Sequence, residues 1–123
     1  MASDPKAKFS MTYEARFFAM SVDMLCIADG GHFIKVNPAA MKILGYSESE
    51  LYAKPVIEFI HPDDREITAE MIRTSADHLD DLHMENRYLC KDGSYRLISW
   101  TASLENGVFF AVGRDITASR QAE

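Results

Sequence analysis

Few side chains in this sequence could do chemistry, and they are scattered. Cys26 and Cys90 lie far apart, with no Cys-x-x-Cys pair to build a four-ligand zinc site. They read as two free thiols. His78 and His83 flank Asp80 and Asp81, a mixed nitrogen and oxygen set of the sort that holds divalent metals. The two histidines are five residues apart, so a helix would not bring them to one face, and the run reads better as a solvated loop without a metal. Asp63-Asp64 is a second carboxylate pair, and its place at a predicted helix start gives it a structural role. No Gly-x-Ser-x-Gly, no phosphate-cradling Gly-x-x-x-x-Gly-Lys and no recognisable Cys/His pairing occurs, so the expectation is that the chain is not an enzyme. Tyr88 and Trp100 could stack on a planar ring. The reading preferred is that both aromatics simply fill the core.

The bulk properties narrow the partners. The chain has 123 residues, 47% of them hydrophobic, and a formal net charge of −6. That size suits one domain. An acidic balance argues against nucleic acid, which needs a basic stripe to neutralise phosphates. The longest runs free of Asp, Glu, Lys and Arg, Leu97–Leu104 and Asn106–Gly113, span eight residues. A membrane helix needs roughly 20. Met1–Lys8 is polar and lacks the apolar centre of a secretory signal, so a cytoplasmic location is expected. The seven methionines read as adaptable packing rather than a copper site.

Turn and cap signals place the elements. Asp29-Gly30-Gly31, Asp92-Gly93 and Asn106-Gly107 supply the positive φ of tight hairpins. The first joins strands Met24–Ala28 and His32–Val36, and the others link His83–Cys90, Tyr95–Leu104 and Val108–Ile116 into a meander. Asn37-Pro38 is an N-cap with proline in the first turn, opening a helix that Gly45 stops. Ser47-Glu48-Ser49-Glu50 matches a capping box. His61-Pro62-Asp63-Asp64 opens a longer helix to about Ala76, with Ile67, Met71 and Ser75, and Ile72 beside them, on its apolar face. Tyr13, Phe17 and Met20 at i, i+4 and i+7 predict an amphipathic N-terminal helix within Phe9–Met20. Strands in blocks, separated by helices, indicate an α+β fold.

These residues resemble the PAS family. Asp29-Gly30-Gly31 followed by Val36-Asn37-Pro38-Ala39-Ala40 is similar to its first hairpin and helix. Gly45-Tyr46-Ser47 with Glu50-Leu51, and then His61-Pro62-Asp63-Asp64, are similar to the segments that follow. Glu85-Asn86-Arg87-Tyr88 with Lys91-Asp92-Gly93, and Gly113-Arg114-Asp115-Ile116-Thr117, resemble the later strands and the Asp-Ile-Thr junction. The resemblance runs from about Tyr13 to Thr117. It implies a PAS fold: a five-stranded antiparallel sheet in the order 2-1-5-4-3, short helices over one face and an N-terminal capping helix. The organisation expected is a flexible segment at 1–8, the PAS domain at 9–117 and the start of an output-linker helix at 118–123. The role implied is a sensory or dimerisation module of a bacterial signal-transduction protein, regulating an output domain, a histidine kinase before a diguanylate cyclase.

Alternation then assigns faces. Met84, Asn86, Tyr88 and Cys90, with Ile98 and Trp100, belong under the helices. The last strand is apolar on both sides: Phe109, Ala111 and Gly113 oppose Val108, Phe110 and Val112. Leu97, Val108, Phe110 and Val112 therefore need a second cover, and the N-terminal helix with Tyr13, Phe17 and Met20 is the candidate, in cis or from a second subunit. A homodimer is expected. The inner cleft offers Cys26, Ala28, Phe59, Ile67, Met71, Asn86, Tyr88, Ile98, Trp100 and Ala111 as pocket candidates, a set that suits a packed core as well as a ligand site.

No obligatory cofactor is expected. The stretch Leu51–Ile60 lacks the cysteine of the light-sensing flavin branch, and Arg65 and Glu66 stand where haem-binding members carry an axial histidine. Non-covalent flavin or a small metabolite is the alternative, and a ligand-free dimerisation scaffold is the rival. Arg114, Asp115 and Thr117 form the expected signal exit, with Thr117 as N-cap of the departing helix.

Overall fold

The computed structural model describes residues 12–75 and 82–122. Helix α1 (Tyr13–Met20) leads into strands β1 (Met24–Asp29) and β2 (His32–Val36). Helices α2 (Pro38–Leu44) and α3 (Glu48–Tyr52), a single 3-10 turn (Val56–Phe59) and helix α4 (Pro62–Ser75) follow. Strands β3 (Leu82–Leu89), β4 (Tyr95–Glu105) and β5 (Val108–Asp115) then lead to α5 (Thr117–Gln121). The five strands form one antiparallel sheet in the order β2-β1-β5-β4-β3. This is the α+β architecture expected. Ala76, and with it His78, Asp80 and Asp81, which the sequence reads as a loop, lie outside the described residues, as do Met1–Met11.

The local signals act as their chemistry requires. At the β4–β5 hairpin both Asn106 and Gly107 adopt positive φ, 53° and 80°, the pairing a two-residue primed turn needs. Ser47 and Glu50 close a complete capping box at α3. Asn37 caps α2, and the fold asks more of it than that. Fully buried, its Oδ1 accepts from the backbone N–H of Ala40 and Leu25, and its Nδ2 donates to the carbonyls of Asp23 and Phe18. One amide thus ties α1, β1 and α2 together, and leaving any of these groups unpaired in the interior would cost about 1–3 kcal/mol.

The apolar core is one cluster beneath the helices, containing Met24, Cys26, Phe33, Val36, Leu44, Leu51, Phe59 and Ile98. The inner strand face is the one alternation indicated, with Asn86, Tyr88, Ile98 and Trp100 all buried.

Helix α4 departs from expectation. Its inward residues are Asp64, Thr68 and Ile72, whereas Ile67 is 64% exposed. The cause is an ion pair at the first turn. Arg87 on β3 donates Nε and its backbone N–H to Asp64 Oδ2, at 2.9 and 2.8 Å, and its terminal guanidinium nitrogen to Oδ1 at 2.8 Å. That forked clamp sets the rotation of the helix, and every fourth residue from Asp64 follows it inward. Periodicity alone had selected a stripe one residue out of phase.

Candidate functional site

Past this clamp, α4 and the Val56–Phe59 turn stand off from the sheet and border a half-open cavity of about 480 Å³. Small residues make the room: Ala28 on β1, Ala102 on β4 and Ala111 on β5 line its floor, where larger side chains would close it. Thr68, Ala69 and Ile72 of α4, with Val56 and Ile57 of the 3-10 turn, form the helical side. Leu82, Met84, Trp100 and Phe109 complete an almost wholly apolar lining.

Five of the ten pocket candidates read from the sequence meet at this wall: Ala28, Asn86, Tyr88, Trp100 and Ala111. The other five do not. Cys26, Phe59 and Ile98 are buried in the packed cluster, Phe59 with its ring against Phe33 and Tyr46. Ile67 faces outward, and Met71 is half-buried off the wall, both because of the α4 rotation. Thr68 and Met84 were missed as lining residues. Met84 was already legible, being two residues before Asn86 on the same strand face.

A polar chain crosses the cavity wall. Trp100 Nε1–H donates to Asn86 Oδ1 at 2.9 Å, and Asn86 Nδ2 donates to Thr68 Oγ1 at 3.2 Å. The sheet is thereby hydrogen-bonded to α4 through buried groups, where an unmade bond is costly. Tyr88 is buried, and its hydroxyl makes no hydrogen bond among the described residues. Burial pushes that hydroxyl above its ordinary range, with the nearby Cys26 acting the same way, so it stays a neutral donor. Burial likewise pushes the Cys26 thiol up to about 12, which makes it an inert packing group.

The wall does not suit a flavin. Tyr88 and Trp100 contact each other at 5.5 Å between ring centroids with their planes 52° apart, so they offer no flat platform. Among the described residues the one lining amide is Asn86, whose Oδ1 accepts from Trp100 and whose Nδ2 donates to Thr68 and, more weakly, to Met84 Sδ, leaving little to pair with the polar edge of the ring. His61, just ahead of α4, lies with its ring against Tyr95, 4.6 Å between centroids.

The junction at the end of β5 is tightly bonded. Asp115 Oδ1 accepts from Thr117 N–H at 3.0 Å and from the Thr117 hydroxyl at 2.6 Å, and Thr117 Oγ1 accepts from Leu97 N–H at 2.8 Å. Thr117 is therefore not the N-cap expected. It is the first residue of α5, Ile116 occupies the cap position without a side-chain bond, and the Thr117 hydroxyl ties the helix start to β4 instead. Arg96 pairs with Asp115 at 3.5 Å, and Arg120 of α5 reaches Glu85 of β3 at 3.1 Å. Arg114, across from these, pairs with Asp23 at 3.6 Å.

On the outer sheet face, α1 provides only partial cover. Phe18 borders a groove with Leu25, Ile27, Phe110 and Val112, yet Phe110 and Val112 stay 44% and 43% exposed. Tyr13, Phe17 and Met20, the stripe picked for contact, face away and are 61%, 72% and 65% exposed. Leu97 and Val108 are half-buried. The helix is held by the Asn37–Phe18 bond and by Lys35 Nζ over the Phe18 ring, which turns Phe18 inward in place of Phe17.

Comparison with known proteins agrees with this geometry. The family model described as PAS fold matches residues 33–109, more than half of the sequence, and the chain belongs to that family. Among solved structures, it is similar to the PAS domain of a protein from Colwellia psychrerythraea, at 25% identity and a TM-score of 0.76, over 85% of this chain and 95% of that one. The PAS domain of an HTR-like protein from Haloarcula marismortui matches at 28% identity and a TM-score of 0.67, over 84% and 91%. A domain of a sensory box sensor histidine kinase/response regulator from Geobacter sulfurreducens shares the fold, at 22% identity and a TM-score of 0.66, over 83% and 90%. No match is found among curated protein sequences. Among the described residues, no helix is long and apolar enough to cross a membrane, and no cluster of His, Cys, Asp and Glu could hold a metal ion.

Proposed function

We propose that this PAS domain senses a small molecule in the cavity beneath α4 and passes its occupancy along β5, through Asp115, Ile116 and Thr117, to an output domain attached beyond α5. A histidine kinase is the output favoured, by likeness to the sensor kinase domain above. The observation that carries the reading is contact between the cavity and the strand that leads out of it. Gly113, one residue before Arg114, lies so close to Trp100 that an added Cβ would sit 2.7 Å from the indole Cζ3. Trp100 is also a cavity wall residue bonded through Asn86 to α4. A ligand that shifts Trp100 therefore pushes on the strand end that holds the α5 junction. The domain itself carries no catalytic role in this reading. It works in the cytoplasm, where thiols such as Cys26 and Cys90 stay reduced.

The test is Asp115→Ala in the full-length protein. Output activity should lose its dependence on the input while the domain still folds, its denaturation midpoint lowered only by the loss of the Thr117 and Arg96 contacts at the end of β5. Unchanged signalling would take Asp115 out of the mechanism.

The module is further read as a homodimer, with the outer sheet face around Phe110 and Val112 and the exposed stripe of α1 in the interface. Sedimentation at high protein concentration should give a dimer, and Phe110→Asp should shift it to monomer. A monomeric profile of the unmodified chain would overturn this part of the reading and leave the cavity untouched.

A further inference from the structure

We infer that the cavity selects an uncharged, largely apolar ligand carrying one hydrogen-bond acceptor, which takes the Tyr88 hydroxyl as its donor; the inference rests on the reading of the cavity as a ligand site. Two observations combine. The first is the orphan hydroxyl. Tyr88 is 3% exposed and its O–H has no partner among the described residues. Yet none of the fully buried side-chain nitrogen or oxygen atoms in these residues lacks a hydrogen bond, so the Tyr88 oxygen opens onto cavity space instead of packed protein. A buried donor without an acceptor is the kind of group a ligand oxygen satisfies with gain on both sides.

The second observation is the absence of charge. Among the described residues, Arg73 is the one charged side chain on the wall, and it is exposed in the last turns of α4 and paired with Glu70. Against the described wall, an ionised ligand would give up hydration without meeting a buried counter-charge, which is unfavourable. Asn86 is the poorer donor, since its Oδ1 accepts from Trp100 while its Nδ2 donates to Thr68 Oγ1 and, more weakly, to Met84 Sδ. A cavity of about 480 Å³ lies in the ordinary range for small organic ligands.

Trp100 is the only tryptophan of the chain and lies in the cavity wall, so its emission reports binding directly. The probes are 2-acetylnaphthalene, naphthalene and 2-naphthoate, which share a ring system and differ in acceptor and charge. The expected order is 2-acetylnaphthalene tightest and 2-naphthoate weaker by about a hundredfold or more. Tyr88→Phe should weaken 2-acetylnaphthalene by roughly five- to tenfold and leave naphthalene unchanged, the worth of one hydrogen bond. That variant removes an oxygen with no protein partner, so the fold should tolerate it, and the probe order in the unmodified chain is a test independent of it. Naphthoate binding as tightly as 2-acetylnaphthalene would overturn the ligand class while leaving the cavity a binding site. An equal loss for both neutral probes in Tyr88→Phe would overturn the role of Tyr88. If no probe bound, and Ala111→Leu behaved like the unmodified chain, the reading of the cavity as a ligand site would itself fall.

Discussion

Where α2 and α3 lie against β1 and β2, large apolar side chains fill the space: Met24, Leu44, Leu51 and Phe59 are all essentially inaccessible. Under α4, the facing residues are Ala28 of β1, Ala102 of β4 and Ala111 of β5, and a cavity opens. Both regions are covered by short amphipathic helices, so cover alone does not decide whether a core closes. What differs is how the helix is fastened. α2 and α3 are held by their packed faces, with the Asn37 amide tying the start of α2 to α1 and β1 inside a filled core. α4 is held at one end by the Asp64–Arg87 fork and across the gap by Thr68 and Asn86, and those polar fasteners do not require the space between them to be filled. A ligand site can persist where the attachment is polar and local.

This contrast can be broken by mutation, and the packed region should respond most. Leu51→Ala is expected to cost about 2–5 kcal/mol in chemical denaturation, because it opens a void in a region with no slack. A cost below about 1 kcal/mol would mean that the packed half is as loose as the other.

Gly113→Ala should come next, at about 1–3 kcal/mol, since the new methyl must displace the rigid indole of Trp100. Trp100 emission should shift in the same variant, and an unchanged spectrum would argue that β5 and the cavity are not mechanically linked.

Asp64→Asn should be smaller, about 1 kcal/mol at neutral pH, because the fork is partly exposed to solvent. It also predicts a pH dependence. The hydrogen bonds from Arg87 hold the Asp64 carboxyl below its ordinary value. A carboxyl lowered in the folded state stabilises fully above its unfolded value and loses that contribution as pH falls through the folded one. Acid unfolding of the unmodified chain should thus be steeper below pH ~4 than that of Asp64→Asn. Equal acid limbs would remove the clamp from the account of how α4 is held.

The smallest effect is expected in the open region. Ala111→Leu adds apolar volume to a cavity and should leave the melting temperature level or slightly raised, where the same enlargement in a filled core costs about 1–3 kcal/mol. A loss of that size would show that the floor has no room to spare.

Much of the fold was legible because its signals are short in range. Asn37-Pro38 with Gly45, the Ser47–Glu50 box and the Asn106-Gly107 turn each specify backbone through residues a few positions apart, and each acts as read. Strand alternation assigned the inner face, placing Asn86, Tyr88 and Trp100 together. The site was only half legible. Alternation says which face a residue takes but not how far the covering helix stands from it, so Ile98 and Cys26 were grouped with cavity residues although they are packed. The 3-10 turn that supplies Val56 and Ile57 has no strong local signature, and it was passed over. Helix periodicity has little to grip in α4, where Ile67, Met71 and Ile72 compete for the inward stripe and a distant arginine decides among them.

By itself, then, the sequence determined the order of elements and the faces of the strands, since these follow from caps, turns and a two-residue repeat that act locally, and its motifs carried the resemblance to the family. The tertiary structure alone decided the rotation of α4, the opening beneath it, the orphan hydroxyl of Tyr88 and the choice of Phe18 over Phe17 as the residue that α1 turns inward. Each of these depends on contacts between residues distant in the chain, Arg87 with Asp64 and Asn37 with Phe18 among them, and no local pattern encodes which of several acceptable partners a side chain will meet.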